Sequence, residues 1–278
     1  MKYKLVCIDI DGTLLNSSKR VSKGNKVALK KAFDKGVKIV ITTGRIFNNA
    51  AYYSDLIGAK SAVIAANGGI IKEKDNDKVI YKNQISEDIC KNILEIALKN
   101  KVSIHFHTAN YIFNNSFLQS LLFRLVMTFG KPRNRKVKIV KVNSKKQWEE
   151  IFTKYKDDII KAIIVDLNKS KLKKVRKDLE KLNDLEVLSS GWYNLEVNKK
   201  GISKGKAVKY LAEYYGIKRE EVIAIGDNEN DISMIEYAGL GVAMGNGIKE
   251  LKEKADYITD SNNRNGVSKV IEKFILNS

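Results

Sequence analysis

The run Leu5-Val-Cys-Ile8 is apolar at every position and ends in Asp9-Ile-Asp11-Gly12-Thr13. A short aliphatic, β-branched run of this kind reads as a strand buried on both faces. In extended chain the i, i+2 spacing points both carboxylates to one side. Like charges at the end of a buried strand need compensation, and a hard cation such as Mg²⁺ suits an oxygen site of this kind. Gly12 frees the backbone to turn tightly, so that its amides can face an anion. The same residues also fit a strand followed by an Asx turn with solvated aspartates. The rest of the chain decides between the two.

Residues 23–35 carry Val27, Ala28, Ala32 and Phe33 at helical spacing and stop at Gly36. Val37–Ile41 is a second aliphatic strand ending in Thr42-Thr43-Gly44-Arg45, and a helix follows through Asp55. Ala62–Ala66 is a third short strand, ending in Asn67-Gly68-Gly69. Strand–helix–strand–helix–strand implies parallel strands with right-handed crossovers and helices on both faces. Open sheets of this α/β type place their sites beyond the carboxyl ends of the strands, where Asp9, Asp11, Thr43 and Asn67 all fall.

Beyond Ile70 the pattern loosens into a hairpin over 70–82 and a helix from Ser86 or Glu87 to Lys99. Strand-like runs recur at 102–107, 137–142 and 162–167, with helices expected over Phe117–Phe129, 145–155 and 170–182. This reads as a mixed α/β unit over residues 83–189, inserted into a sheet domain made of 1–82 and 190–278. The parallel pattern resumes with strand material in 187–197, then Lys200-Gly-Ile-Ser203-Lys204-Gly205 opening a helix. Val222–Ile225 runs into Gly226-Asp227-Asn228-Glu229-Asn230-Asp231, and Leu240–Met244 into Gly245-Asn-Gly247. One proline, Pro132, and no Ser/Gly tract make the domain crossings short hinges.

Composition narrows the class. The two cysteines, Cys7 and Cys90, have neither a pairing pattern nor zinc spacing, which suits a reducing cytoplasm. The first residues enter a strand without a signal-peptide pattern, and the longest apolar-rich stretch, Phe117–Phe129, is too short to span a bilayer. A net charge of +19 raises the question of nucleic acid. Residues 131–146 hold eight basic residues and no acidic one. Lysine far outnumbers arginine, however, and no nucleic-acid module is recognisable, so a solvated basic face is the preferred reading.

Four features fall at strand ends or helix starts: Asp9 with Asp11, Thr43-Gly44, Lys204, and Asp227 with Asn230 and Asp231. The last is the most specific, because three polar groups where a helix begins exceed what capping needs. Taken in order they read as one site for a phosphate and its metal. The set Asp9-Ile-Asp11-Gly-Thr13, Thr43-Gly44-Arg45, Ser203-Lys204-Gly205 and Gly226-Asp227-x-x-Asn230-Asp231 resembles the haloacid dehalogenase-like hydrolases. With the large insert between the second and third motifs, it is similar to the Cof-type, type IIB cap branch.

The resemblance implies a Mg²⁺-dependent phosphatase with an aspartyl-phosphate intermediate, a Rossmann-like core and a mobile cap that sets specificity. It assigns Asp9 as nucleophile and metal ligand, and Asp11 as general acid and base whose carbonyl also binds the metal. Asp227 becomes the third ligand, with Asp231 supporting it. The Ile10 and Gly44 amides, Thr43, Lys204 and Asn230 become the phosphate cradle, with Arg45 reaching the substrate or stabilising the helix it starts. The implied substrate is a small phosphorylated metabolite, a sugar phosphate or phosphorylated cofactor, handled by a monomer or weak homo-oligomer away from membranes.

A phosphomutase of the same superfamily is the nearest alternative, and a nucleic-acid-binding protein using the basic insert the alternative of another class. The Gly201–Lys206 stretch lacks the P-loop pattern, which rejects an NTPase. His105 and His107 share one face of an expected strand and read as sheet-face residues. Trp192 and Tyr193 fit a pocket lining or hinge packing equally.

Overall fold

The computed structural model describes residues 2–76, 78–116, 137–189 and 191–277. The helix expected over Phe117–Phe129, the basic residues 131–136 and Pro132 lie outside the described residues. The chain divides into two compact units. One comprises Met1–Arg45, Ala50–Ile80 and Ser203–Ser278, and the other Ile46–Asn49 and Tyr81–Ile202.

The first unit is built on a five-stranded sheet in the order Tyr257–Ile258, Leu240–Ala243, Val222–Gly226, Leu5–Ile8, Lys38–Ile41, all parallel. Every residue of Leu5–Ile8 and of Val222–Gly226 is buried, as uninterrupted aliphatic runs covered on both faces must be. Ile8 lies opposite both Ile225 and Ile41, so the carboxyl ends of three neighbouring strands finish level. That register brings motifs more than 200 residues apart to one edge.

Val63–Ala65 touches this sheet through a parallel bridge from Ile64 to Thr42, but its ladder is antiparallel with Ile70–Lys72. Together with Val79–Lys82 they make a separate three-stranded sheet, where the alternation had suggested one more parallel strand. The reason lies in the turn: Ala66 and Asn67 adopt φ of 53° and 57° and Gly68 99°, which reverses the chain at once.

Serine caps set where two helices begin. Ser22 accepts from the Asn25 amide before Lys23–Asp34, and Ser203 from the Lys206 amide before Lys204–Tyr214. The second cap fixes Lys204 as the first helical residue. Gly205 then allows close approach to the helix Ile232–Tyr237, because a Cβ there would meet the Ser233 carbonyl oxygen at 2.1 Å.

The second unit carries a six-stranded sheet in the order Leu185–Leu188, Asn194–Lys199, Lys161–Val165, Ser103–His107, Tyr111–Asn114, Lys138–Lys141. Only the last pair is parallel. Helices Glu87–Lys99, Lys145–Lys154 and Lys169–Glu180 pack Ile93, Phe152 and Val175 onto sheet residues such as Ile104, Phe106 and Ile164. Phe106 and Phe152 meet edge to face at 4.9 Å, and burying each such ring is worth about 1.5–3 kcal/mol. Asn194–Lys199, read from sequence as part of the returning core, instead pairs antiparallel with Leu185–Leu188 and Lys161–Val165. This unit therefore runs to Ile202 and also takes in Ile46–Asn49.

Candidate active site

Every residue singled out at the strand ends lies in the first unit, and the structure joins most of them by direct contacts. Lys204 is wholly buried, and its ammonium donates to Asp9 Oδ1 at 2.6 Å and to Asp231 Oδ1 at 2.5 Å. Two carboxylates press a buried lysine toward its charged form, so its pKa rises even though burial alone would lower it. Asp231 also accepts the amides of Asp227 at 2.8 Å and Asn228 at 3.0 Å through Oδ2. One carboxylate thus fixes both the lysine and the loop that carries Asp227. Gly226 makes room for it, since a Cβ there would lie 2.4 Å from the Asp231 Cβ.

Asp227 accepts a hydrogen bond from the Thr13 hydroxyl at 2.8 Å. Gly12, with φ of 81°, brings the backbone so close that a Cβ would stand 2.2 Å from Asp227 Oδ2. Oxygens of Asp9, Asp227 and Asp231 all lie within 4.8 Å of one another. Burial pushes the Asp9 carboxyl well above its ordinary range, with the neighbouring aspartates adding to this and Lys204 opposing it. Burial and the charge of Asp231 raise Asp227 to about 7. The cluster holds more negative charge than Lys204 offsets, and its donors are all hard oxygens, which fits a divalent cation such as Mg²⁺.

Asp11 belongs to a different network. Arg45 forks onto it, Nε to Oδ2 at 2.5 Å and a terminal nitrogen to Oδ1 at 2.6 Å, while Lys19 approaches Oδ1 at 3.3 Å. Burial pushes this carboxyl up, but the Arg45 hydrogen bonds and the two positive charges prevail and hold it near 2. The Arg45 guanidinium also lies 5.0 Å from the centre of the Tyr53 ring. Thr43 is buried, its amide donating to the Ile64 carbonyl at 3.0 Å and its hydroxyl accepting the Arg45 amide at 3.2 Å. Asn230 donates to the side chain of Asn67 at 3.0 Å, both buried. Ile10 is buried in the turn, where its carbonyl accepts the Leu15 amide at 2.9 Å.

Three members of this arrangement had no role assigned from sequence: Thr13, Lys19 and Asn67. Asn67 carried a usable signal, an asparagine before two glycines at a strand end, where positive φ favours it. Lys19 carried none, since a surface lysine eight residues from an aspartate is unremarkable.

A haloacid dehalogenase-like hydrolase family model matches residues 6–271 of this chain. The chain belongs to that family. It is 33% identical over 273 residues to the 5-amino-6-(5-phospho-D-ribitylamino)uracil phosphatase YcsE of Bacillus subtilis, covering 98% of this chain and 96% of that protein. It is 31% identical over 276 residues to a phosphoglycolate phosphatase of Methanobrevibacter smithii, covering 99% and 100%. Among solved structures, a haloacid dehalogenase-like hydrolase from Bacteroides thetaiotaomicron superposes with a TM-score of 0.84 at 31% identity, covering 99% and 100%. A subclass IIB sugar phosphatase of the same superfamily gives 0.80 at 28% identity, covering 98% of each chain. The protein is therefore a phosphatase of the Cof type. No helix among its described residues is long and apolar enough to cross a membrane.

Proposed function

We propose that the enzyme hydrolyses small phosphate monoesters, sugar phosphates or phosphorylated cofactors, by passing the phosphoryl group to Asp9 and then to water. The observation that carries this reading is the buried bridge from Asp9 through Lys204 to Asp231 at a strand end. Lys204 grips one oxygen of Asp9 and leaves the other to attack phosphorus. The resulting acyl phosphate is readily hydrolysed, which makes a carboxylate a sensible nucleophile.

Phosphoryl transfer asks little covalent work of a protein beyond in-line positioning and neutralisation of the equatorial oxygens. The Thr43 hydroxyl, the Ile10 and Gly44 amides, Lys204 and Asn230 supply fixed donors for those oxygens. Asp9, Asp227 and the Asp11 carbonyl would hold Mg²⁺, with Asp231 supporting Asp227 through the loop amides. Bound there, Mg²⁺ would neutralise charge on the transferring group.

Asp11 protonates the leaving oxygen and later takes a proton from the attacking water. Forked onto Arg45 it is held ionised, so the contact has to loosen before Asp11 can act as an acid. An anionic substrate competes for the guanidinium, and its departure returns the carboxyl toward the range of an acid catalyst. The second unit, Tyr81–Ile202 with Ile46–Asn49, acts as the cap that distinguishes one ester from another. Buried, unpaired Cys7 and Cys90 suit a reducing cytoplasm.

The relatives' names, one a phosphoribitylamino uracil and one phosphoglycolate, support small monoesters as the class. The test is phosphate release from a panel of monoesters with Mg²⁺ and with EDTA. Metal-dependent release is expected. Equal release in EDTA, or isomerisation of a sugar phosphate without free phosphate, would contradict the reading.

A further inference from the structure

The stretch Gly245-Asn246-Gly247 follows a buried strand as the other motifs do, yet the proposed mechanism gives it no part. Register explains where it lies. Ala243 stands opposite Gly226, and the Met244 amide donates to the Gly226 carbonyl at 2.9 Å. The chain leaving Leu240–Ala243 therefore runs beside the chain that leaves Val222–Gly226 toward Asp227.

This loop grips both segments that would hold the metal. On one side the Ile248 amide donates to the Asp227 carbonyl at 3.0 Å, and a Cβ at Gly247 would stand 3.2 Å from that same oxygen. On the other, Asn246 Nδ2 donates to the Gly12 carbonyl at 2.9 Å. Gly12 backs onto the Asp227 carboxylate, and Thr13, the other half of that peptide, donates its hydroxyl to it. Lys252 Nζ donates to the Gly245 carbonyl at 2.7 Å and ties the loop to the helix Lys249–Lys254 behind it.

The Asn246 amide is fixed in one sense. Its Oδ1 accepts the Asn262 amide at 2.8 Å, and Asn262 Nδ2 in turn donates to the Leu15 carbonyl at 2.8 Å. A backbone N–H at one end and a backbone carbonyl at the other leave no alternative orientation. Asn246 is nonetheless exposed, so it fills no core and its hydrogen bonds add little to folding. What they do fix is the peptide that adjoins Asp11 and lies against Asp227.

We propose that Asn246 is a positioning residue for the metal, locking the Gly12 peptide so that the Asp11 carbonyl and the Asp227 carboxylate hold a fixed relation. Groups that orient ligands without touching the ion strengthen its binding in this way. The proposal rests on the reading of Asp9, Asp227 and the Asp11 carbonyl as the Mg²⁺ ligands.

The test titrates Mg²⁺ calorimetrically, without substrate, into wild type, Asn246→Ala, Asn263→Ala and Asp227→Asn. Urea unfolding in EDTA runs alongside. Asn263 is the matched control. It too is exposed and makes two hydrogen bonds to the segment after Asp11, at 2.9 and 2.8 Å, but both go to Ser17. Asn246→Ala is expected to weaken Mg²⁺ binding roughly tenfold, and Asn263→Ala to leave it within about twofold. Both should lose a similar, small amount of stability in EDTA. In phosphate release, the Mg²⁺ concentration for half-maximal rate should rise about tenfold in Asn246→Ala while kcat at saturating Mg²⁺ stays within about threefold.

Mg²⁺ affinity in Asn246→Ala within about twofold of wild type overturns the proposal and leaves the ligand assignment standing. Equal weakening in Asn263→Ala overturns it as well, because the effect would then be a general loosening of the segment. If wild type binds no Mg²⁺, or Asp227→Asn binds it as wild type does, the ligand assignment itself fails and the proposal falls with it.

Discussion

Lys204 in the first unit sits between two aspartates, at 2.6 and 2.5 Å, in a cluster with carboxylate to spare. Lys161 in the second unit has one glutamate at 2.7 Å and lies in register with a histidine whose ring nitrogens are unpaired. Both lysines are fully buried. The first network has surplus negative charge at the ends of strands, where backbone amides also converge, and this suits a cation and a phosphate. The second joins Lys161, which opens its strand, to Glu196 and sets it opposite His107, which closes the neighbouring strand. Equal burial therefore supports different chemistry, depending on which groups surround the lysine.

Removing the lysine should separate the two most strongly. Lys204→Met leaves Asp9 and Asp231 buried and facing each other. It should cut kcat/KM by about 10²–10³ and destabilise the fold by about 3–5 kcal/mol, read by phosphate release and urea unfolding. Adding Asp231→Leu should recover at most part of the stability and none of the activity, because Asp9 stays buried without its lysine and the Asp227 and Asn228 amides lose their acceptor. In the second unit Lys161→Met should also cost about 3–5 kcal/mol, yet the pair Lys161→Met with Glu196→Leu should recover most of it, since an apolar replacement of a buried pair is close to neutral.

Gly12→Ala combines a φ of 81° with a Cβ 2.2 Å from Asp227 Oδ2. It should cost about 1–3 kcal/mol, and metal-dependent turnover should fall with it. The same exchange at Gly36, where φ is 89° and nothing lies within 4 Å, should cost stability alone.

The smallest effect concerns pH. In the unfolded chain His107 protonates near 6.5, whereas burial keeps it neutral in the fold. Below that pH the unfolded state binds the extra proton, so stability falls as pH drops, by at most about 1.4 kcal/mol per unit. His107→Phe should flatten the urea-midpoint profile between about pH 6.5 and 5 relative to wild type. An unchanged slope would show that the ring is protonated in the fold.

The same contrast explains what could be read from sequence. Asp9, Thr43 and Asp227 were legible because motif residues follow aliphatic runs, and a parallel sheet brings such ends together whatever separates them in sequence; Lys204 was marked instead by the Ser203-Lys204-Gly205 helix start. The fork of Arg45 onto Asp11 was open at that stage, since adjacency to a motif does not say which acceptor a long side chain finds. The turn at Ala66–Asn67 was missed because positive φ at alanine has no composition signal. Tyr111–Asn114 and the return strand Asn194–Lys199 escaped or were misplaced because antiparallel partners leave no mark on local periodicity. His105 and His107 were recognised as sharing a face, but the cross-strand partners that give the face its character come from register alone.

The most direct test of the account is multiple-turnover phosphate release by Asp9→Asn beside wild type, with Mg²⁺ present and the fold verified by circular dichroism. The account predicts native folding with turnover abolished. Sustained turnover in the folded variant would contradict Asp9 as nucleophile and, with it, the phosphoryl-transfer mechanism proposed for this site.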